Sequence, residues 1–336
     1  MKILITGGAG FVGQNLIKKL KTKFPECDIT VIDIKPNPYP RYNIEELGAK
    51  VFYGPDITKP ETIEEFFIGK DYIFHLAGLI SFWKKEKDLL HQINVEAVGS
   101  IVDLCLKYNI KKLIHISSVA SLGYRNDKDK PINEDFDFPF HTAPKKYYMQ
   151  TKRKGHEIVL KAVKERGLRA VIICPALMWG AGDFFNTAHL IEGINDKKIF
   201  VNMPGGTYIA DVEDVARGIV STFEKGRIGE VYILGGYNYP FKESNAIVAR
   251  ALNISPPKVD IPMFLHKPMY FIFRIIEIFS KGPLPIYSDT IDSGFMFRYF
   301  DNSKSNKELG WVVEKPFSQT VSEQIEYLKK YKLLKN

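Results

Sequence analysis

Cysteine is scarce in this sequence. Its 336 residues include three cysteines, Cys27, Cys105 and Cys174, and these are widely separated. A disulfide framework needs an even and closely spaced set, and a cysteine metal site needs paired ligands at short spacing. We therefore expect a protein of a reducing compartment that has no disulfide framework and no metal site.

The sequence predicts no signal peptide, and it has no uninterrupted apolar segment of membrane length. Glycines break the N-terminal apolar run at once, where a signal peptide would pass from charged to apolar to small residues. Residues 261–279, IPMFLHKPMYFIFRIIEIF, are long enough to cross a membrane but are interrupted. The interruptions are one proline and four polar or charged residues: Pro268, His266, Lys267, Arg274 and Glu277. We expect a cytoplasmic protein in which 261–279 is an amphipathic helix that walls a substrate cleft, with a membrane contact as the alternative.

The basic residues do not follow a nucleic-acid-binding pattern. The net charge is +8, from 47 lysines and arginines against 39 acidic residues. They cluster locally, at 83–87 and 152–154, without aromatic residues interleaved along one element. The pattern favours solvated helix faces and no nucleic-acid partner. A chain of this length, with 45% hydrophobic residues, can bury a large core and predicts two domains.

The first thirteen residues, MKILITGGAGFVG, predict a phosphate-binding turn. Residues 2–6 are an apolar run typical of a buried parallel strand, and helical spacing begins at Phe11. Between them, Gly7 allows a sharp turn, Gly10 lets a pyrophosphate approach the backbone, and Gly13 lets helix and strand pack closely. The free N–H groups of the helix would face the phosphates. A tight turn without a ligand is the alternative, and the position of the glycines between strand and helix favours a dinucleotide site.

Strands and helices alternate through the first half of the chain. Helical patterns, such as 59–67 and 95–108, lie between the strands, and a further helix and strand are predicted at 212–224 and 230–234. This order predicts an α/β fold with a doubly wound parallel Rossmann sheet at 1–175 and a smaller, mostly helical substrate lobe at 176–336, from which about 207–236 returns to the sheet. The strands predicted after the first are 29–33, 49–54, 72–77, 112–117 and 169–174.

Two aspartates follow strands where a dinucleotide has its adenosine. Asp33 ends the second strand, about 20 residues after the glycine loop, where a carboxylate binds ribose hydroxyls and repels a 2′-phosphate. It favours NAD over NADP, although Lys35 and Arg41 lie close by. Asp56 follows the third strand and is placed either to meet the adenine amino group or to close a turn.

Tyr148 and Lys152 carry the sharpest chemical signal. Four residues apart, they share one face of a helix. An ammonium near a phenol stabilises the phenolate and is expected to lower the pKa of Tyr148 toward neutral, as an acid or base requires. An exposed helix pair is the alternative. Ser117 and Ser118 end the fifth strand, where a hydroxyl can bind a substrate oxygen or cap the strand end.

In combination, these motifs resemble the extended short-chain dehydrogenase/reductase superfamily, also called the NAD-dependent epimerase/dehydratase family. The resemblance runs nearly from end to end and is specific as a set. It is carried by TGGAGFVG at 6–13, HLAG at 75–78, Asn94-Val95, SSVASLG at 117–123, the Tyr148/Lys152 pair, Pro175 with WGAGD at 179–183, IADVEDVARG at 209–218, Asp301, Lys304 and LGW at 309–311.

The resemblance implies a role for each matching residue. Tyr148 would be the general acid/base, Lys152 would bind the nicotinamide ribose, and Ser118, with Ser117 as the alternative, would bind the reacting oxygen. Hydride would pass between the nicotinamide and a carbinol carbon. A homodimer through the helices near Asn94 and Tyr148 is implied as well. The implied cofactor contacts are Gly7, Gly10, Phe11, Val12, Gly13, Asp33, Asp56, Ile57, Leu76, Ala77, Gly78, Asn94, Ser117, Tyr148, Lys152, Pro175 and Leu177.

Departures from the family pattern narrow the substrate. Cys174 stands before Pro175 where members usually have arginine. Nucleotide-sugar members also carry an arginine just before the segment 208–211, and this chain has Pro-Gly-Gly-Thr at 204–207. A guanidinium is well suited to bind a substrate diphosphate, so the missing arginine makes a nucleotide-sugar substrate less favoured. Residues 230–236 and 285–300 are similar to the branch of dihydroflavonol reductases and 3β-hydroxysteroid dehydrogenases.

The sequence therefore predicts an oxidoreductase that passes hydride between NAD(P) and a small-molecule secondary alcohol or ketone, with NAD preferred. A nucleotide-sugar epimerase or dehydratase is the first alternative. A non-catalytic NAD(H)-binding protein is the second, and the intact Ser118, Tyr148 and Lys152 set argues against it.

Overall fold

The chain opens with the predicted strand, glycine turn and helix. In the computed structural model, which describes residues 1–141 and 146–334, β1 spans Lys2–Thr6 and α1 spans Phe11–Lys23. Four of the five residues of β1 are buried, as expected for a strand covered on both faces of a sheet. Gly7 has φ 71°, a left-handed conformation that glycine adopts at little cost.

The main sheet is parallel and doubly wound, which confirms the predicted fold class. Its other strands are β2 (Asp28–Asp33), β3 (Ala49–Tyr53), β4 (Tyr72–His75), β5 (Lys112–Ile116), β6 (Ala170–Pro175) and β10 (Val231–Leu234). The spatial order is β10-β6-β5-β4-β1-β2-β3. The chain moves outward from β1 to β3 and then returns to β4 on the other side of β1. That reversal opens a crevice at the carboxyl ends of β1 and β4, where ligands of such sheets bind.

Short strands of the second half form a smaller lobe. β9 pairs with β7, β11 and β13, and β8 pairs with β12. These strands are β7 (Leu177–Trp179), β8 (Val201–Asn202), β9 (Gly206–Asp211), β11 (Tyr237–Pro240), β12 (Val259–Asp260) and β13 (Phe297–Arg298). The lobe has its own buried cluster, in which the Trp179 ring meets the edge of Phe317 at 5.1 Å between centroids.

Helices cover both faces of the main sheet. α1 packs against α6 on one face, and α3 packs against α4 on the other. Because α6 and β10 follow the first lobe strands in sequence, the chain crosses into the lobe and returns to the sheet. The helices after α1 are α2 (Lys87–His91), α3 (Ala97–Lys107), α4 (Tyr147–Arg166), α5 (Asn186–Asn195), α6 (Val212–Lys225), α7 (Phe241–Ala251), α8 (His266–Phe279), α9 (Ser288–Gly294), α10 (Ser303–Leu309) and α11 (Phe317–Lys330).

Two predicted helices differ from the structure. The stretch 59–67 forms two 3₁₀ turns, Pro60–Thr62 and Glu64–Phe67. The Thr62 hydroxyl donates to the carbonyl oxygens of Asp56 and Lys59, and such side-chain bonds compete with a regular helix. The helix predicted at 95–108 begins earlier, because α2 and α3 are joined by a π turn, Gln92–Glu96.

The joined stretch Lys84–Lys107 is the one segment of the described residues that is long and apolar enough to cross a membrane. Half of its most apolar window is buried within the protein, and α3 packs on α4. This is the pattern of a core helix.

Gly13 is the position of the first turn that is least able to carry a side chain. An added Cβ would overlap the backbone of Gly8. We expect Gly13→Ala to lower the free energy of unfolding by about 1–3 kcal/mol, because the helix must move away from the loop. Gly99 of α3 is the control, since a Cβ there meets nothing within 4 Å, and Gly99→Ala should be neutral or stabilising by up to about 1 kcal/mol. Urea unfolding of both variants measures the difference, and equal stabilities would contradict the packing role of Gly13.

Candidate active site

A cavity of about 320 Å³ lies where the main sheet meets the lobe. Its walls come from the carboxyl ends of β4, β5 and β6, from the start of α1, and from β9, α9 and β13 of the lobe. The predicted site residues that line it are Phe11, Val12, Leu76, Gly78, Ser117, Ser118, Tyr148, Lys152, Pro175 and Leu177. Residues far apart in the sequence are thus brought to one crevice.

The glycine loop has the shape that a pyrophosphate needs. A Cβ on Gly7 would lie 2.8 Å from the backbone of Ala77, so the loop touches the end of β4. A Cβ on Gly10 would meet only the Gly7 carbonyl oxygen, at 3.2 Å, and its other side is open. α1 has no side-chain cap and no acidic residue in its first turn. Its free N–H groups and positive end are therefore available to an anion.

Asp33 ends β2 beside this loop. Its carboxylate accepts hydrogen bonds from the Ala9 N–H at 3.0 Å and the Ile34 N–H at 2.8 Å, and burial raises its pKa. Arg41, a nearby cation, is ion-paired with Glu213 and donates to Asn15 Oδ1 at 3.1 Å. The charge of Arg41 is therefore compensated by Glu213 of the same chain. The Asp33 carboxylate remains as the charged group beside the glycine loop.

Asp56 has the turn role that the sequence left as one of two alternatives. Its Oδ1 accepts from the Thr58 N–H at 2.9 Å and from the Thr58 hydroxyl at 2.8 Å. Ile57 is half-buried and packs against the main core. Contact of either residue with an adenine ring stays a prediction.

Asn94 braces the loop that follows β4. Its side-chain carbonyl accepts from the Leu79 N–H at 3.0 Å, and its amide donates to the Leu79 carbonyl at 2.9 Å. Ala77 at the start of this loop donates weakly to the Thr6 hydroxyl, at 3.4 Å. Asn94 therefore holds the loop that carries Gly78, and its contact with the cofactor stays a prediction.

Tyr148 and Ser118 meet at one wall of the cavity. Ser118 is the N-cap of the 3₁₀ turn Val119–Leu122, and its hydroxyl oxygen accepts from the Ala120 N–H at 3.2 Å. The same hydroxyl is in reach to donate to the phenol oxygen of Tyr148. The Ser121 hydroxyl donates to the Ser118 carbonyl at 2.8 Å and lies 3.0 Å from His156 Nδ1. This buried support favours Ser118 over Ser117, whose hydroxyl lies beside the Cys174 thiol.

Lys152 lines the cavity beside Gly78. Its Nζ lies against Gly78, where an added Cβ would approach it to 2.9 Å. Burial lowers the pKa of Lys152 to about 8. Within residues 1–141 and 146–334 no hydrogen bond or ion pair of its ammonium is found. A half-buried ammonium that faces a cavity gains an acceptor when a polar ligand enters.

The predicted lowering of the pKa of Tyr148 by Lys152 is wrong for the protein's own groups. Burial raises the pKa of Tyr148, and the hydrogen bond with Ser118 only partly offsets it. Removing the phenolate from water costs more than the neighbouring groups return. Burial likewise disfavours the charged form of Lys152.

Sequence reasoning missed a charged group at the lobe side of the cavity. Arg298 of β13 lines it, and among the described residues its buried Nε has no hydrogen-bond partner. Lys146 forms an ion pair with Asp292, which also lies 2.8 Å from His266 Nε2. Burial raises the pKa of Asp289, another lining residue. The 285–300 segment had been linked only to a family branch, and an arginine on a two-residue strand carries no local motif.

The predicted role of 261–279 as a cleft wall is wrong. Of the described residues that line the cavity, none belongs to α8; Asp289 and Ser293 of α9 take that place. Asn186 of α5 also lines the cavity. Thr207 and Tyr208 of β9 complete the wall. Thr207 belongs to the segment 204–207, where nucleotide-sugar members of the family carry an arginine that binds the substrate diphosphate.

A second groove, of about 760 Å³, lies at the opposite edge of the sheet. It is lined by residues such as Tyr72, Lys112 and Arg169, at the amino ends of β4, β5 and β6. It contains none of the predicted site residues. Because parallel sheets bind ligands at their carboxyl ends, this groove does not correspond to the predicted ligand site.

A doubly wound sheet with an uncapped glycine-loop helix, an acid at the end of β2, and a Ser-Tyr-Lys cluster defines the class of dinucleotide-dependent oxidoreductases. The model of the NAD dependent epimerase/dehydratase family matches residues 3–235, and the chain belongs to this family. The family resemblance seen in the sequence is confirmed. The protein is an NAD-dependent oxidoreductase of the extended short-chain class.

Known relatives and structures agree with this assignment. The chain is 29% identical to 4-hydroxy-2-methyl-3-oxo-4-farnesyl-3,4-dihydroquinoline-1-oxide ketoreductase of Stigmatella aurantiaca, over 70% of this chain and 68% of that one. It is 23% identical to 3beta-hydroxysteroid-dehydrogenase/decarboxylase isoform 1 of Arabidopsis thaliana, over 96% and 78%. The crystal structure of gox2253 superposes with a TM-score of 0.85, at 26% identity and over 99% of both chains.

Proposed function

We propose that this protein interconverts an apolar secondary alcohol and its ketone, with Tyr148 as the acid/base. The observation that carries the proposal is the convergence of Ser118, Tyr148 and Lys152 on one cavity. The rest of that cavity is largely apolar, with Ile80, Phe82, Val119, Met149, Met178 and Phe300 among its lining residues.

Each residue of the cluster has a distinct task. The Ser118 hydroxyl donates a hydrogen bond to the substrate oxygen and holds it beside the phenol. The Tyr148 phenol moves the proton to or from that oxygen. The Lys152 ammonium binds the ribose hydroxyls and places a positive charge near the phenol. Bound NAD⁺ supplies the hydride acceptor and a positively charged ring.

The substrate class rests on the apolar lining of the cavity. Tyr208 lines it together with Phe82, whose ring meets Tyr148 at 6.0 Å between centroids. Aromatic and aliphatic walls of this kind bind apolar ligands and leave orientation to a few polar groups. The relative from Stigmatella aurantiaca, named as the ketoreductase of a farnesylated dihydroquinoline oxide, supports a lipophilic ketone.

The proposed preference for NAD over NADP depends on Asp33. Asp33→Asn removes the charge and keeps one oxygen acceptor, so one of the two N–H groups that Asp33 accepts from, those of Ala9 and Ile34, loses its partner. We expect the Kd for NADH to rise about 10- to 100-fold, the worth of a hydrogen bond to a charged group, and the discrimination against NADPH to shrink. Asp28, at the other end of β2, is the matched control, and Asp28→Asn should change neither Kd. Fluorescence titration with both cofactors measures this, and unchanged selectivity in Asp33→Asn would refute the proposal.

The proposed reaction is tested by stoichiometry. Purified protein with NADH and a panel of ketones, including sterol and aryl ketones, should consume one NADH for each alcohol formed. Two results would count against the alcohol/ketone proposal. One is consumption of NADH without formation of an alcohol, and the other is interconversion of UDP-hexoses while no ketone leads to consumption of NADH.

A nucleotide-sugar epimerase or dehydratase is the second candidate. Arg298 supports it, since a guanidinium inside the cavity suits a phosphate group, and its Nε has no hydrogen-bond partner among the described residues. Conversion of a UDP-sugar without net change in NADH would favour this candidate.

The proposal includes the organisation of the chain. Residues 1–175 would form the NAD-binding domain and 176–336 the substrate lobe, with about 207–236 returning to the first domain. The protein would be a cytoplasmic homodimer that pairs through the α2–α3 stretch and α4. Sedimentation equilibrium checks the dimer, which a monomer at micromolar concentration would exclude.

A further inference from the structure

α8 is a helix with an outer face that the protein leaves bare. All fourteen of its residues are described, and none of them is buried. Its strongest packing is against α9, a short helix on one side. An apolar helix inside a protein buries a stripe along its length. α8 therefore presents most of its surface outward.

The outward face is apolar and continuous. At 100° per residue, its exposed apolar residues fall within one half of the helix circumference. Met263 and Phe264, which precede the helix, are 49% and 76% exposed and extend the same surface. The helix residues of this outer face, with exposures from 44% to 79%, are Phe271, Ile272, Ile275, Ile276, Ile278 and Phe279.

The carboxylate of α8 is withdrawn from this face. Glu277 lies on the inner side, where it accepts from Lys84 at 2.8 Å and from Arg274 at 3.3 Å. These contacts and the N–H of Ser288 hold its pKa below the usual value, although burial opposes them. His266, also on the inner side, stacks on Phe295. The outer face therefore carries no acidic residue of the helix.

Cations border the apolar face along one edge. Lys267 and Arg274 are seven residues apart, which places them nearly in line along the helix, and Lys281 follows just beyond the helix end at Phe279. Lys267 and Lys281 are exposed, and Lys85 reaches the end of α8 by donating to the Ser280 carbonyl at 3.1 Å. An apolar half bordered by a basic row matches the acyl chains and anionic headgroups of a lipid surface.

We propose that α8 lies in the surface of an anionic lipid membrane, with Phe271, Ile275 and Ile278 in the acyl region and the basic row at the headgroups. The helix would lie along the membrane rather than cross it, because Lys267 and Arg274 are on its length. A second copy of the chain fits less well, since the face offers no carboxylate to pair with a partner's basic row.

A loop that is tied to α8 contributes exposed apolar residues to the active-site cavity. Ile80 and Phe82 line the cavity and are 43% and 38% exposed. Their loop continues into Lys84, which binds Glu277 of α8 and the Ser288 hydroxyl. The docked helix would therefore place the cavity mouth at the bilayer, where an apolar ketone concentrates. This consequence rests on the proposed function, whereas the docking itself does not.

Vesicle flotation tests the docking without cofactor or substrate, so that its failure is distinct from failure of the proposed reaction. The full chain should float with vesicles of phosphatidylcholine and phosphatidylglycerol, and much less with phosphatidylcholine alone. Ile278→Asp should lower the bound fraction at least tenfold. Ile68→Asp is the matched control, because Ile68 and Ile278 are 63% and 64% exposed, and it should bind as the unmodified protein does.

Charge variants test the basic row separately. Lys267→Gln with Lys281→Gln should lower binding to the anionic vesicles about tenfold or more, and added salt should do the same to the unmodified protein. Both positions are exposed, so thermal unfolding should be unchanged. Equal binding of this variant would overturn the role of the basic row.

Trp83 provides a reporter of depth. It directly precedes Lys84, the residue that binds Glu277 of α8, and it is half-buried, whereas Trp179 and Trp311 are 1% and 0% exposed. Brominated lipids should quench the fluorescence that Trp83→Phe removes.

Three results would overturn the proposal: no flotation with either vesicle, equal loss in Ile68→Asp, or a lipid-independent dimer that Ile278→Asp dissociates.

Discussion

Tyr148→Phe is expected to lower kcat by about 100- to 10,000-fold, the usual contribution of a general acid/base. The phenylalanine keeps the ring and its packing against Phe82, at 6.0 Å between centroids. It removes only the hydroxyl that meets Ser118. The Kd for NADH should therefore stay within about twofold, because the loss belongs to the transition state and not to binding.

Tyr147→Phe is the control for this experiment. Tyr147 begins α4 next to Tyr148 but does not line the cavity. Its variant should retain kcat within about twofold, as is typical of a substitution away from the reacting atoms. Single-turnover rates with saturating NADH compare the two variants. Full activity in Tyr148→Phe, or equal losses in both, would remove Tyr148 from the proposed mechanism.

Lys152→Met should weaken both cofactor binding and turnover. The methionine fills a similar volume but leaves the site without its ammonium. We expect the Kd for NAD to rise about 10- to 100-fold, since hydrogen bonds to charged groups are worth about 1.5–3 kcal/mol. Turnover should fall further than binding because the charge beside Tyr148 is lost as well. Isothermal titration and steady-state rates measure the two effects.

The pH dependence of binding follows from the same residue. Burial lowers the pKa of Lys152 to about 8, so the ammonium is charged below that pH and neutral above it. The affinity of the unmodified protein for NAD should therefore fall as the pH rises through about 8. In Lys152→Met this step should be absent.

Lys154 provides the matched control for Lys152. It is exposed on the same helix, and Lys154→Met should bind NAD with the original affinity and the original pH step. A Lys152→Met protein that binds NAD normally at every pH would show that the ammonium faces the cavity without holding the cofactor.

The local parts of the site could be predicted because they are encoded by short-range patterns. The strand, glycine turn and helix at 1–23 follow from apolar residues, glycine spacing and helical periodicity within one segment. Asp33 could be placed because a carboxylate at the end of β2 must lie near the glycine loop in a doubly wound sheet. The Tyr148/Lys152 pair follows from helical geometry alone.

The parts that failed depend on long-range packing. Arg298 reaches the cavity because β13 pairs with β9, a contact across ninety residues that no local pattern announces. The direction of the pKa shift of Tyr148 depends on burial, which is fixed only when the lobe covers the sheet. α8 is amphipathic as predicted, but its partner could not be read from periodicity, and α9 took the place at the cavity.

One measurement tests whether the protein transfers hydride from NADH to the carbonyl carbon of an apolar ketone. NADH with deuterium at both C4 positions should be incubated with the best ketone of the panel, and the alcohol examined by mass spectrometry. We predict one deuterium at the carbinol carbon of each product molecule and one labelled NADH consumed. An unlabelled alcohol, or a UDP-sugar product with no net consumption of NADH, would contradict the proposed function.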